Sequence, residues 1–270
     1  MTAPSEKPIA IVTGAAQGIG LGIARALALA SHRVMMADID QDRLGQSARA
    51  IQAEGGEVVP QPLDVTKPDD WDRALATVGA RWGGLDVLVN NAGISPRGTA
   101  ESTDLALWDL TLAVNLKGAW LGAKSALPWL KKSRGVILNI GSTRSTRPMP
   151  GLFSYVVSKA GLWGMTRQLA VEYLHAGVRC NMIAPGWVDT ANERLLQARH
   201  GRPDFPAGVS NLTTPEQVGA AAVYLASPAA RTISGVILYL DSGLHVADEA
   251  GMVFFPESRA LPFPQRIDEA

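Results

Sequence analysis

Short apolar runs alternate with longer stretches of helical periodicity along most of the chain. "IAIVT" (9–13), "RVMMAD" (33–38), the region "EVVPQPLDV" (57–65), "LDVLVNNAG" (85–93), "GVILNIGS" (135–142), "VRCNMIAP" (178–185) and "GVILYLD" (235–241) read as seven strands. Apolar residues recurring every three or four positions predict helices over 19–30, 41–55, 68–83, about 103–132, 154–176 and about 215–226. Several of the strands are apolar almost throughout rather than alternating, which requires burial on both faces. That is the signature of a parallel sheet with helices above and below. The pattern predicts an α/β, single-domain Rossmann fold: a doubly wound seven-stranded parallel sheet with helices on both faces.

Two stretches break the rhythm. Residues 186–213 read as a long insertion before the last helix, and 245–270 as a tail in which prolines interleave with Phe254, Phe255 and Phe263. Long loops in compact domains tend to carry function. The expected organisation is one domain over 1–270, with 1–185 mainly for dinucleotide binding and catalysis. Residues 186–213 would form a substrate lid, and the tail would pack on its own subunit or reach a neighbour.

Composition narrows the classes. The 270 residues balance 25 basic against 25 acidic groups, so no electrostatic argument favours nucleic acid or an anionic membrane surface. No apolar run is long enough to cross a bilayer, and the N-terminus lacks a signal-peptide pattern. The single cysteine, Cys180, precludes an internal disulfide and fits a reducing compartment, so a cytoplasmic protein is expected. The four histidines are scattered singly, at 32, 175, 200 and 245, and no metal site is expected.

The chemistry begins after the first strand. "TGAAQGIG" places Gly14, Gly18 and Gly20 between a strand and a helix, where glycines let a pyrophosphate approach backbone amides at a helix N-terminus. The spacing departs from G-x-G-x-x-G, so the cluster alone also suits a tight turn. Asp38 ends the second strand, where a doubly wound sheet presents the adenosine ribose. Its carboxylate would accept from both ribose hydroxyls and repel a 2′-phosphate. Gln17, before Gly18, is uncharged, so no basic group in this stretch welcomes that phosphate. The cofactor expected is NAD. Tyr155 and Lys159 stand four apart in a predicted helix, hence on one face.

These motifs, in order and over nearly the whole length, resemble the short-chain dehydrogenase/reductase family. They are Thr13 with the three glycines, Asp38, Asp64–Val65, "NNAG" (90–93), Asn115 in "VNLKG", Ser142 in "NIGS", Tyr155, Lys159 and "PGWVDT" (185–190). The match fades across the insertion and the tail. The resemblance implies a catalytic set of Asn115, Ser142, Tyr155 and Lys159. It implies that Ile19 offers a backbone amide to phosphate, that Asp64 and Val65 contact adenine, and that Asn91, Ala92 and Gly93 pass under the cofactor ribose. Val188 and Thr190 would meet the nicotinamide carboxamide, and Lys159 the nicotinamide ribose. Asn115 would bend its helix and hold a water linking Lys159 to solvent. It also implies a homotetramer joined through the helices at about 103–132 and 154–176.

A tyrosine is a poor base at its free pKa of about 10. An ammonium about 5 Å away is worth roughly 3 kcal/mol at an effective dielectric of about 20, or about two pKa units. Lys159 and an oxidised nicotinamide are therefore expected to lower the Tyr155 pKa, while Ser142 steadies the substrate oxygen. Arg97, Arg144, Arg147 and Trp187 are candidate substrate contacts, and an arginine there suits a carboxylate or phosphate. The substrate class expected is a sugar, polyol or hydroxy acid. Two alternatives stay open: an NADPH-dependent carbonyl or 3-oxoacyl reductase, and a non-catalytic NAD-binding sensor or scaffold.

Overall fold

The computed structural model describes residues 7–199 and 212–246. Seven parallel strands, β1 (Ile9–Thr13), β2 (Arg33–Asp38), β3 (Glu57–Pro62), β4 (Val87–Asn90), β5 (Val136–Ile140), β6 (Arg179–Pro185) and β7 (Ile237–Leu240), lie in the order β3-β2-β1-β4-β5-β6-β7. The chain runs outward from β1 to β3, then returns to the other side of β1. The β1/β4 junction is therefore the switch point where a doubly wound sheet opens a crevice at its carboxyl edge. Every residue of β1, β4 and β5 is buried. The edge strand β3 tolerates Pro60 and Pro62 because one side of its ladder has no strand to bond.

Helices α1 (Gly18–Leu29), α2 (Gln41–Ala53) and α8 (Pro215–Ala226) cover one face, burying Ile23, Leu27, Leu44, Ile51, Val218 and Leu225. Helix α3 (Pro68–Trp82) packs on the other, with Trp71 and Val78 fully buried. Residues at 103–132, expected as one helix, form three pieces: α4 (Leu105–Leu112), a π turn (Ala113–Lys117) and α5 (Gly118–Ser133). At the π turn the Gly118 amide donates to the Ala113 carbonyl, five residues back. The wider turn carries Asn115, only 1% exposed, and such turns recur at functional sites. Helix α6 (Phe153–Glu172) follows β5 and carries Tyr155 and Lys159.

The insertion is not irregular throughout. It holds α7 (Ala191–Arg199) and a bridge between Val188 and Thr213. The helix start is legible in hindsight, because Thr190 Oγ1 accepts from the Glu193 amide at 3.1 Å. Residues 200–211 of the expected lid and 247–270 of the expected tail lie outside the described residues. Among the described residues no helix is long and apolar enough to cross a membrane.

Glycine sets the approach of α1 to α8. A Cβ on Gly22 would come within 2.6 Å of Pro215 Cβ and of its carbonyl oxygen. Gly22→Ala is expected to cost about 1–3 kcal/mol through overpacking, read as a lowered denaturation midpoint. An unchanged midpoint would mean the two helices have room to part.

Candidate active site

The crevice at the β1/β4 switch point is floored by backbone. Gly14 and Gly18 adopt positive φ angles of 64° and 56°, conformations that favour glycine. A Cβ on Gly20 would overlap the Gly14 carbonyl. Helix α1 starts at Gly18 with no side-chain cap from Gln17, so its first amides, Ile19 among them, remain available to an anion. A Cβ on Gly18 would meet only Thr190, at 3.5 Å, which places Thr190 across the cleft from the glycine loop. Val188 beside it is buried.

Thr13 locks the two sides of the crevice together. Its hydroxyl accepts from the Asn91 and Ala92 amides at 3.0 and 3.1 Å and donates to the Val89 carbonyl at 3.2 Å. The Asn91 side chain donates to the Thr13 and Gly14 carbonyls. Asp38 accepts from the Ala16 amide and the Asp40 amide, both at 3.0 Å. Arg43 of α2 donates to the Gln17 carboxamide and pairs with Asp40 at 3.6 Å. A basic group therefore does stand beside Gln17, contrary to the expectation from the sequence. It arrives from the next helix, with its charge shared between Gln17 and Asp40. Asp64 turns its carboxylate back onto Thr66, at 2.9 and 2.7 Å, and Val65 is buried against Gly118. Open glycine backbone, uncapped α1 amides and a strand-end carboxylate together fit a dinucleotide.

The four residues expected to be catalytic converge at the carboxyl edge. Lys159, 5% exposed, donates from Nζ to the Ile140 carbonyl at 2.8 Å. Its Nζ sits 5.8 Å from the centre of the Tyr155 ring. A Cβ on Gly93 would lie 3.2 Å from Asn115 Oδ1 and 3.5 Å from Lys159 Nζ, so both groups face that bare glycine. Asn115 Oδ1 accepts from the Ile94 amide at 2.8 Å, and Nδ2 donates to the Ile94 carbonyl and to Ser158 Oγ, both at 2.9 Å. The Asn115 side chain is thus spent on positioning rather than aimed at Lys159. Ser158, which sequence reasoning missed, relays that bond to the Tyr155 carbonyl at 2.7 Å. Ser142 is buried, accepts from the Arg144 amide at 3.2 Å and lines the same cavity as Tyr155.

Tyr155 and Ser142 form one wall of a cavity of about 90 Å³, with Arg97, Arg144, Trp187 and Glu193 around it. Three of the four expected substrate contacts reach this space. Arg147 does not line it, because its guanidinium donates to the Leu244 carbonyl and ties the loop after β5 to the loop after β7. Glu193, unremarked in the sequence, enters through α7.

Comparison with known proteins places the chain in a family. The family model described as Enoyl-(Acyl carrier protein) reductase matches residues 14–245. The 2-(R)-hydroxypropyl-CoM dehydrogenase of Xanthobacter autotrophicus is 34% identical, over 86% of this chain and 96% of that protein. The D-beta-hydroxybutyrate dehydrogenase of Cupriavidus necator is 33% identical, over 87% and 96%. The 3beta-hydroxysteroid dehydrogenase 1 of Eggerthella lenta is 32% identical, over 87% and 92%. The crystal structure of a 3-ketoacyl-(acyl-carrier-protein) reductase from Brucella melitensis, complexed with NADH, superposes with a TM-score of 0.80. It is 29% identical and covers 89% of this chain and 99% of its own. The chain belongs to the short-chain dehydrogenase/reductase family. It is an oxidoreductase acting on alcohol and carbonyl groups.

In this dehydrogenase the electrostatics of the tyrosine–lysine pair differ from the sequence expectation. The Tyr155 pKa is raised, not lowered, within the chain. Burial disfavours the phenolate and Glu193 adds to the rise, while the neighbouring Ser142 hydroxyl and the Arg144 charge oppose it. Arg144 and the neighbouring Ser142 hydroxyl act to relieve the phenol. Lys159 is itself desolvated, and its pKa falls to about 8.

The Lys159 shift has a measurable consequence. Its folded pKa of about 8 lies below its ordinary 10.5. The unfolded chain therefore binds more protons between those values, and stability rises with pH across that window. Without cofactor, Lys159→Met should be more stable than wild type at pH 7. The gain expected is about 1–3 kcal/mol, the desolvation penalty less one hydrogen bond. The gap should narrow from pH 8 to 10.5 in urea denaturation. A gap independent of pH would mean the ammonium is well solvated.

Proposed function

We propose that this protein is an NAD(H)-dependent dehydrogenase of a compact, polar secondary alcohol, with Tyr155 moving the hydroxyl proton. One arrangement carries the reading: Tyr155 and Ser142 line the same cavity, while Lys159 Nζ and Asn115 Oδ1 both face the bare Gly93. Bound nicotinamide dinucleotide supplies the acceptor or donor of hydride. Every other task falls to the chain. Tyr155 as phenolate takes the alcohol proton in oxidation, and as phenol returns it in reduction. Ser142 donates to the reacting oxygen as its charge develops. Lys159, with a pKa near 8, changes protonation in the working range and passes the proton on. Asn115, through Ser158 and Ile94, positions the start of α6 against β4.

Gly14, Gly18, Gly20 and the Ile19 amide would hold the pyrophosphate, and Asp38 the adenosine ribose. Asp64 and Val65 would border the adenine, Asn91, Ala92 and Gly93 the ribose floor, and Val188 and Thr190 the carboxamide. Arg43 supports a second reading, an NADPH-dependent carbonyl reductase, because it stands one hydrogen bond from Gln17. The Asp38 carboxylate outweighs it, since a 2′-phosphate about 5 Å away would be repelled by roughly 3 kcal/mol at an effective dielectric of about 20. A sensor or scaffold without activity fits less well, since Tyr155 and Lys159 are both in place. The cavity, as bounded by described residues, is far below the about 300–1,000 Å³ of pockets for drug-sized ligands. That disfavours a steroid and suits a small hydroxy acid, sugar or polyol. The described part of the insertion, residues 186–199 with α7, would act as the lid.

A homotetramer is part of this proposal. Leu110, Trp120, Phe153 and Val157 are exposed on α4, α5 and α6, and a groove of about 580 Å³ runs between Asp109, Leu116, Trp120 and Met165. Light scattering should return four times the chain mass of 28.6 kDa; a monomer would remove the tetramer from the proposal.

Tyr155→Phe should lower turnover by about 10²–10⁴-fold while NADH binding, followed by fluorescence, persists. Because the phenol pKa is raised above its ordinary value, wild-type kcat/KM for oxidation should climb from pH 7 to 10 while that for reduction stays level, since Tyr155 remains protonated across that range. Turnover of the variant within tenfold of wild type would remove Tyr155 from the chemistry. Asp38→Asn should shift the NADPH-to-NADH ratio of kcat/KM by about 100-fold toward NADPH, and an unmoved ratio would show that Asp38 does not face the ribose.

A further inference from the structure

The cavity beside Tyr155 gathers more positive charge than its walls need. Arg144 stands two residues after Ser142, on the short turn Thr143–Ser145 that closes the carboxyl end of β5. It is half-buried. Its side chain donates to the Arg147 carbonyl at a long 3.4 Å, and no carboxylate pairs with it among the described residues. Arg97, exposed in the loop after β4, lines the same cavity, and no salt bridge joins it to a carboxylate among the described residues. The two guanidiniums repel each other, and Arg147 adds to the repulsion on Arg144. Burying one arginine partway and facing it with another costs free energy unless an anion neutralises them.

Glu193 lines the same cavity, and its charge acts to raise the Tyr155 pKa. Within the site the charges are therefore sorted, with arginines over the loops after β4 and β5 and the carboxylate on α7. A planar guanidinium fork matches a carboxylate or sulfonate in two parallel hydrogen bonds. An anion there would sit next to the Ser142–Tyr155 pair, so that its own chain carries the reacting carbinol only a few bonds away.

We propose that the substrate is a short hydroxy acid whose carboxylate is held by Arg144, with Arg97 as the outer partner across the cavity. This rests on the dehydrogenase reading above and deepens it. Arg144 then has two effects. It fixes the end of the substrate, and its charge favours the phenolate of Tyr155 in the direction of oxidation. It acts on specificity through KM and on the base through the pH profile.

The test compares NAD⁺ reduction by 3-hydroxybutanoate, its neutral analogue 3-hydroxybutanamide, and 2-hydroxypropane-1-sulfonate, in wild type, Arg144→Leu, Arg144→Lys and Arg97→Leu. Wild type should prefer the carboxylate over the amide at least tenfold in kcat/KM. Arg144→Leu should collapse that ratio to near one, mainly through KM, and should move the alkaline limb of the oxidation profile upward. Arg144→Lys should recover part of the ratio but not the two-point grip, and Arg97→Leu should lower it less than Arg144→Leu. A sulfonate that matches the carboxylate would keep the arginine role and change the acid, overturning the choice of carboxylate. A carboxylate-to-amide ratio near one in wild type, or one unmoved by Arg144→Leu, would overturn the proposal.

A second measurement stands without turnover: calorimetric titration of malonate into the NADH-loaded protein. Binding weakened at least tenfold by Arg144→Leu supports the anion site, and no binding, or binding untouched by the change, overturns it. Malonate binding with no oxidation of any alcohol would instead count against the dehydrogenase reading and leave the arginine site standing.

Discussion

A nearly water-free ammonium, resting on one carbonyl, is the constraint around which this molecule is arranged. Lys159 reaches Ile140 O at the last residue of β5, and it does so only because α6 returns across the carboxyl edge of the sheet at the correct depth. That depth is set by a polar staple. Asn115 joins the π turn to the loop after β4 and, through Ser158, to the first turns of α6. The bare surface of Gly93 leaves room above both. Desolvation that would be a defect elsewhere here yields an amine able to change charge near pH 8.

The phenol follows a different balance. Burial holds Tyr155 in its protonated form, and the groups that counter this are a serine hydroxyl and a neighbouring arginine. A cofactor pyridinium would add to that relief when bound. In the proposed reaction the chain alone would present the acid, and the base would emerge as positive charge gathers around it. The same arginine lines the cavity beside Tyr155, so under the proposal recognition and acidity would be joined in one side chain.

Much of this was legible in one dimension. All seven strands, the two helical layers and the positions of Gly14, Asp38, Tyr155 and Lys159 followed from apolar runs, glycine spacing and the one-turn separation of Tyr155 from Lys159, and Ser142 from the family resemblance. What failed did so for identifiable reasons. The 103–132 helix reads as continuous because a π turn changes the hydrogen-bond partner by one residue without changing the apolar pattern. Helix α7 was hidden by the long insertion around it, although its Thr190 cap was present. Arg147 and Arg144 look alike in "STRSTR", yet one ties down a loop and the other faces the cavity.

The sequence by itself determined the order of strands and helices, the dinucleotide turn and the tyrosine–lysine pairing, because these depend on periodicity and on groups within a few residues of one another. Only the tertiary structure decided the direction of the Tyr155 pKa, the depression of Lys159, the arrival of Arg43 beside Gln17 and the sorting of charge around the cavity. Those depend on how much water each group loses and which distant residue replaces it, and a linear chain carries neither quantity.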